Sequence, residues 1–202
     1  MFEFESEKSG SMRAIGRRVF IGMSASALGY WALWKYSSSK FVEAGGTPVG
    51  KPKMVRIVGF TDAGVRQDVV EVPKIVKTDA EWLKQLGTAA FGVTRRAGTE
   101  FAFSGDLLKE HDKGVFRCIC CDTALFNSDT KFESGTGWPS FWAPIAKENI
   151  VETIDTSFME IRTAVSCRRC DAHLGHVFTD GPRPTGLRYC MNSVALRFAK
   201  AA

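Results

Sequence analysis

The sequence predicts a mainly β domain of the α+β kind: a small antiparallel core with short helices on its N-terminal side. Three observations carry this. From Gly114 onward, short β-branched and aromatic runs alternate with turns rich in Gly, Pro, Asp and Ser. Thr78 and Glu81 form a capping box that opens a helical stretch. Two Cys-x-x-Cys pairs, Cys118 with Cys121 and Cys167 with Cys170, tie the β-rich half together at metal-ligand spacing.

Taken in chain order, residues 1–50 stand apart. Arg13, Arg17 and Arg18 precede a run of 16 uncharged, mostly apolar residues, 19–34. That is short for a bilayer span, which takes ~20 residues, but it has the basic-then-apolar order of an export signal. The residues around Arg17 and Arg18 resemble a twin-arginine signal. The expectation is an export signal or membrane anchor plus linker over 1–50, followed by one domain over 51–202. A buried amphipathic helix is the competing reading.

Residues 54–60 and 68–72 read as a hairpin about a turn at Asp62, Ala63 and Gly64. The helix that opens at the capping box carries Trp82, Leu83 and Leu86, should stop at Gly87, and a second piece should run from Thr88 to Arg95. Residues 158–166 and 189–198 are the clearest strands. In the second, alternation would put Cys190, Asn192, Val194, Leu196 and Phe198 on one face.

Composition sets the function classes. The chain has 202 residues, 45% hydrophobic and 24% charged, which excludes wholesale disorder and collagen-like structure. The net charge is +5, but residues 1–40 hold six Lys/Arg against three Glu, leaving only +2 for the rest. No basic stripe argues for nucleic acid.

The six cysteines all lie in the last 85 residues. Four of them, Cys118, Cys121, Cys167 and Cys170, suit a closed tetrahedral zinc site. Such a site leaves no open position for water and is therefore structural. Two disulfides, or a redox role for one pair, are the alternatives. Cys120 reads as a bystander beside a ligand, or as a resolving thiol. Cys190 reads as a nucleophile if it is partly exposed near histidines and an arginine, and as an inert buried thiol otherwise. His173 and His176 flank Gly175, whose freedom to turn could aim both rings at one pocket. His111, in a charged stretch, reads as solvated. The Gly135, Gly137, Trp138, Pro139 segment suggests backbone approach beside an apolar wall.

Together these segments resemble the methionine-R-sulfoxide reductases of the B type, from about residue 54 to 198. The likeness rests on Thr99 and Glu100, both knuckles, Gly137 to Phe141, His173 to Phe178, and Arg188, Tyr189, Cys190, Asn192 and Ser193. It implies two small antiparallel sheets packed with short helices and clamped by one structural zinc ion. It implies Cys190 as nucleophile toward the sulfoxide sulfur. His173, His176 and Asn192 would bind the sulfoxide oxygen and assist its protonation, with Asp180 in the same pocket. Trp138 and Phe178 would bind the substrate, Trp138 taking the methyl group. Oxidised methionine in proteins is the implied substrate and a thioredoxin-like thiol the implied reductant. The enzyme is expected as a monomer, periplasmic or anchored to the outer face of the inner membrane.

Three positions depart from the family pattern. Thr136 stands where many members carry a resolving cysteine. Ala164 stands where many have Glu, two residues after the arginine matched by Arg162. Residues 157–159 replace a His-Gly-Met segment. A zinc-stabilised binding module that has lost catalysis is the rival function. A Cys-His hydrolase lacks an obvious oxyanion loop.

Overall fold

The computed structural model describes residues 51–157 and 161–202. The expected export or anchor segment lies outside the described residues, as does the start of the strand expected over 158–166. No helix among the described residues is long and apolar enough to cross a membrane.

The chain opens with a hairpin of β1 (Met54–Phe60) and β2 (Arg66–Pro73). Gly64, at φ 78°, closes its turn by donating its backbone N–H to the Thr61 carbonyl at 3.0 Å. Helix α1 (Asp79–Arg96) begins at the expected capping box, with the Thr78 and Glu81 side chains each accepting a backbone N–H of the other. It breaks where expected: Gly87 has φ 71°, ψ 174°, so two helical pieces meet at a kink.

Nine more strands follow: β3 (Gly114–Cys118), β4 (Ala124–Asn127), β5 (Lys131–Phe132), β6 (Ser140–Phe141), β7 (Ile150–Asp155), β8 (Arg162–Cys167), β9 (His173–Phe178), β10 (Arg188–Met191) and β11 (Leu196–Lys200). All pairings are antiparallel. The described strands form three sheets rather than two: the β1–β2 hairpin, a six-stranded sheet in the order β5-β6-β10-β9-β8-β7, and a three-stranded sheet β11-β3-β4.

The two larger sheets meet over aromatic rings. Phe116 of β3 and Phe126 of β4 pack on Phe141 of β6 at 4.9 and 4.4 Å between centroids, and Tyr189 of β10 lies 5.8 Å from Phe126. All four rings are buried, and burial on this scale stabilises by ~1.5–3 kcal/mol per large side chain. Asn149, fully buried, joins the hairpin to this core. It accepts from the Val58 N–H at 2.7 Å and donates to the carbonyls of Val58 and Ala124.

The single strand expected over 189–198 is corrected. β10 ends at Met191, a 3-10 turn occupies Ser193–Ala195, and β11 then joins the other sheet. The reason is local hydrogen bonding. The Asn192 backbone N–H and side chain both turn to the Leu174 carbonyl, at 2.8 and 3.0 Å, and the ladder ends there. Alternation therefore does not run past Cys190, and Met191, Asn192 and Ser193 are all buried in succession.

Candidate active site and metal centre

The two knuckles share one backbone design. In the first, the Cys118 N–H donates to Thr123 O and the Asp122 N–H to Cys118 O. In the second, the Cys167 N–H donates to Ala172 O and the Asp171 N–H to Cys167 O. Asp122 and Asp171 both sit in the left-handed region, at φ 64° and 55°, which a short polar side chain tolerates. The four sulfurs lie within 4.8 Å of one another. The Cys118–Cys170 and Cys121–Cys167 pairs stand at 3.7 and 3.5 Å, close to the ~3.8 Å between sulfurs bound tetrahedrally at the zinc–sulfur bond length. All six cysteines are free thiols, so the disulfide alternative is not the one adopted. These four residues can hold a metal ion, and their donor set fits a soft or borderline one.

α1 docks on this centre through side chains. Arg95 donates to Cys170 O at 2.8 Å and Gln85 to Cys120 O at 2.9 Å. Cys120 is 5% exposed and sits in the core with the knuckle thiols, whereas Cys190 lines a separate cavity.

That cavity, about 140 Å³, is lined by Thr99, Trp138, Arg162, Gly175, His176, Phe178, Cys190 and Asn192. Cross-strand register builds it: Cys190 of β10 faces His176 of β9, which faces Ala164 of β8. Residues three apart on a regular strand point to opposite faces. A bulge at Leu174, where the pairing slips between Val165 and Ser166, brings His173 back to the side of His176. Their rings meet edge-on at 5.2 Å. The turn expected at Gly175 is thus replaced by a continuous strand with a bulge. Gly175 serves close approach instead: a Cβ there would stand 2.1 Å from the Cys190 carbonyl oxygen.

His173 stands behind His176, 8% exposed, with its Nε2 buried and lacking a hydrogen-bond partner among the described residues. Burial, reinforced by neighbouring His176, pushes it down to about 4, so it is neutral at pH 7. His176 is held differently: its Nε2 lies 2.8 Å from Asp155 Oδ2. Asp155, at the end of β7, also takes Arg162 at 3.0 Å and the Ser157 N–H at 2.9 Å. The Ser157 hydroxyl and N–H, then His176, hold its carboxyl well below the usual range.

Cys190 is partly exposed. Burial pushes its thiol up, and the opposing pull of the Thr136 hydroxyl (3.9 Å) and the Arg188 guanidinium does not cancel this. At rest it is a thiol. Asp180 lies outside the cavity lining. Its carboxylate takes Arg188 in a two-pronged pair at 2.9 and 2.8 Å, and that guanidinium lies 4.5 Å over the Phe178 ring. Asp180 therefore reaches the site through Arg188.

Two contributors escaped the sequence reading. Asp155 carries no motif of its own, and only the β7–β8–β9 register brings it to His176. Glu100, read only as part of a resemblance, joins three walls. Its N–H donates to Asn192 Oδ1 at 3.0 Å, its carbonyl accepts from Trp138 Nε1 at 3.2 Å, and its carboxylate accepts the Ser193 and Val194 N–H groups.

Comparison with known proteins agrees with this arrangement. Residues 86–200 match the SelR domain. A peptide methionine sulfoxide reductase MsrB of Hahella chejuensis is 54% identical over 128 residues, covering 63% of this chain and 92% of the relative. The protein of the same name from Pseudomonas putida strain W619 is 57% identical over 125 residues, covering 62% and 94%. With a fold, a thiol cluster and a Cys-His cavity that match the expectation, this chain belongs to the MsrB family of peptide methionine sulfoxide reductases, built on the SelR domain.

Proposed function

We propose that the chain reduces methionine-R-sulfoxide in proteins to methionine, with Cys190 as nucleophile. The observation that carries this is one cavity lined by both kinds of group, the rings of Trp138 and Phe178 and the polar side chains of His176 and Asn192, with Cys190 paired to His176 across neighbouring strands. The S-methyl group takes the aromatic wall and the sulfoxide oxygen the polar one, which selects a single epimer at sulfur.

Cys190 attacks the sulfoxide sulfur as its proton leaves. The departing oxygen must be protonated, and His176, backed by Asp155, is the group placed to do it. Asn192 keeps one Nδ2–H beyond its bond to Leu174 O, and this donates to the same oxygen. Neutral His173 supports the pair from behind. The net step moves one oxygen atom: methionine leaves and Cys190 becomes a sulfenic acid. Thr136 offers no thiol, so regeneration is external. One thiol of a thioredoxin-like donor attacks the sulfenic sulfur and releases water, and its second thiol resolves the mixed disulfide, returning Cys190 as thiol.

Cys118, Cys121, Cys167 and Cys170 would hold one zinc ion through their thiolates, and that ion would clamp β3 to β8. Residues 1–50 act as a twin-arginine-like export signal or anchor, which places the domain in the periplasm or on the outer face of the inner membrane, working as a monomer.

The test is stereospecific turnover of R and S methionine sulfoxides by the full chain with dithiothreitol. R-only turnover, abolished by Cys190→Ser without loss of fold, is expected. Absence of R turnover would leave the zinc-stabilised binding module standing.

A further inference from the structure

We propose that an apolar groove beside the catalytic cavity is a subsite for the residue next to the oxidised methionine, and that it favours an apolar side chain there. The inference rests on the reading of the Cys190 cavity as the sulfoxide site.

At about 140 Å³ that cavity holds the end of one side chain, well below the ~300 Å³ of an ordinary small-molecule pocket. A polypeptide substrate must therefore leave across the rim. A second depression lies on the other side of Thr99. Thr99 lines both, and from it the groove runs between the later half of α1 and the 98–104 loop, lined by Ala89, Gly92, Val93, Gly98, Phe101 and Val194. The two sites are coupled through the backbone. The turn that sets Asn192 in the cavity sets Val194 in the groove, and Glu100 binds the N–H groups of Ser193 and Val194. Glu100 is the one charged residue among those described along the groove, and its carboxylate is already occupied.

Two further facts point to an apolar occupant. Phe101 lines the groove yet is 88% exposed, leaving a ring for a ligand to cover. Gly92 is a glycine inside a helix, where it costs about 1 kcal/mol against alanine, and a Cβ there would meet nothing within 4 Å. The groove is open over Gly92, not filled by the protein. Thr88 to Val93 spans about 7.5 Å of helix, the length of about two extended residues.

The experiment compares kcat/KM on three R-sulfoxide substrates: N-acetyl-methionine-sulfoxide methylamide, a hexapeptide with Leu on both sides of the sulfoxide, and the same peptide with Ser. The full chain is expected to favour the Leu peptide over the Ser peptide about tenfold, the scale of one buried apolar side chain. Gly92→Glu, whose Cβ would meet nothing within 4 Å, should bring that ratio within about twofold and leave the methylamide rate unchanged. Phe101→Ser, at an exposed position, should move the ratio the same way. Equal rates on the two peptides in the natural chain, or variants that lower all three substrates alike, would overturn the subsite. Failure of the natural chain on the methylamide would instead overturn the assignment of the cavity.

Discussion

At the scale of single residues, the site works by holding neighbouring groups in different protonation states. Cys190 is pushed up by burial and His173 is pushed down by it, so both are neutral at rest. Asp155 stays ionised, because hydrogen bonds from Ser157 and His176 favour its charged form. The Asp155 carboxylate, 2.8 Å from Nε2, orients the His176 ring. Asp155→Asn should therefore lower kcat about tenfold with KM little changed, less than the ~10²–10⁴-fold expected for losing the acid itself. Steady-state kinetics of the two proteins check this. Since Ala164 faces His176 across the β8–β9 pairing, Ala164→Glu in the Asp155→Asn background should restore part of the rate.

At the scale of elements, the site depends on how closely β9 approaches β10. Any Cβ on Gly175 would run into the Cys190 carbonyl oxygen, a backbone atom that cannot swing aside. Gly175→Ala should push the strands apart, costing about 1–3 kcal/mol by overpacking and displacing Cys190 from His176. A lowered urea midpoint together with at least tenfold weaker turnover is the expected result. A variant with normal activity would show that the close approach is not needed. The bulge at Leu174 and the break at Asn192 belong to the same scale. Each disrupts a regular ladder, and each sets a polar side chain where regular pairing would not.

Across the whole molecule, the knuckles join the three-stranded sheet to the six-stranded one, since Cys118 ends β3 and Cys167 ends β8. α1 rests on the same centre through Arg95 and Gln85. Loss of one ligand should therefore be felt globally. Cys167→Ser is expected to lower bound metal well below one ion per chain and to lower the thermal midpoint by ten degrees or more, about 3–5 kcal/mol in a domain of this size. Elemental analysis and a melting curve measure both. Catalysis at a temperature where the variant is still folded should fall far less than in Cys190→Ser, because the thiol cluster lies apart from the cavity.

Much of this was legible in the residues. Capping chemistry fixed the start of α1, glycine its kink, and two β-branched runs about a turn the first hairpin, because each of these is decided by neighbours in sequence. The paired cysteine spacing determined the metal centre for the same reason: each knuckle is a local turn, made twice. What only the tertiary structure decided came from strands distant in the chain. It placed Asp155 against His176, sent Asp180 to Arg188 instead of the cavity, divided residues 189–198 between two sheets, and made burial outweigh Arg188 at the Cys190 thiol. Local pattern sets which residues can form an element, whereas register, close approach and desolvation depend on what is packed opposite, and no single segment contains that information.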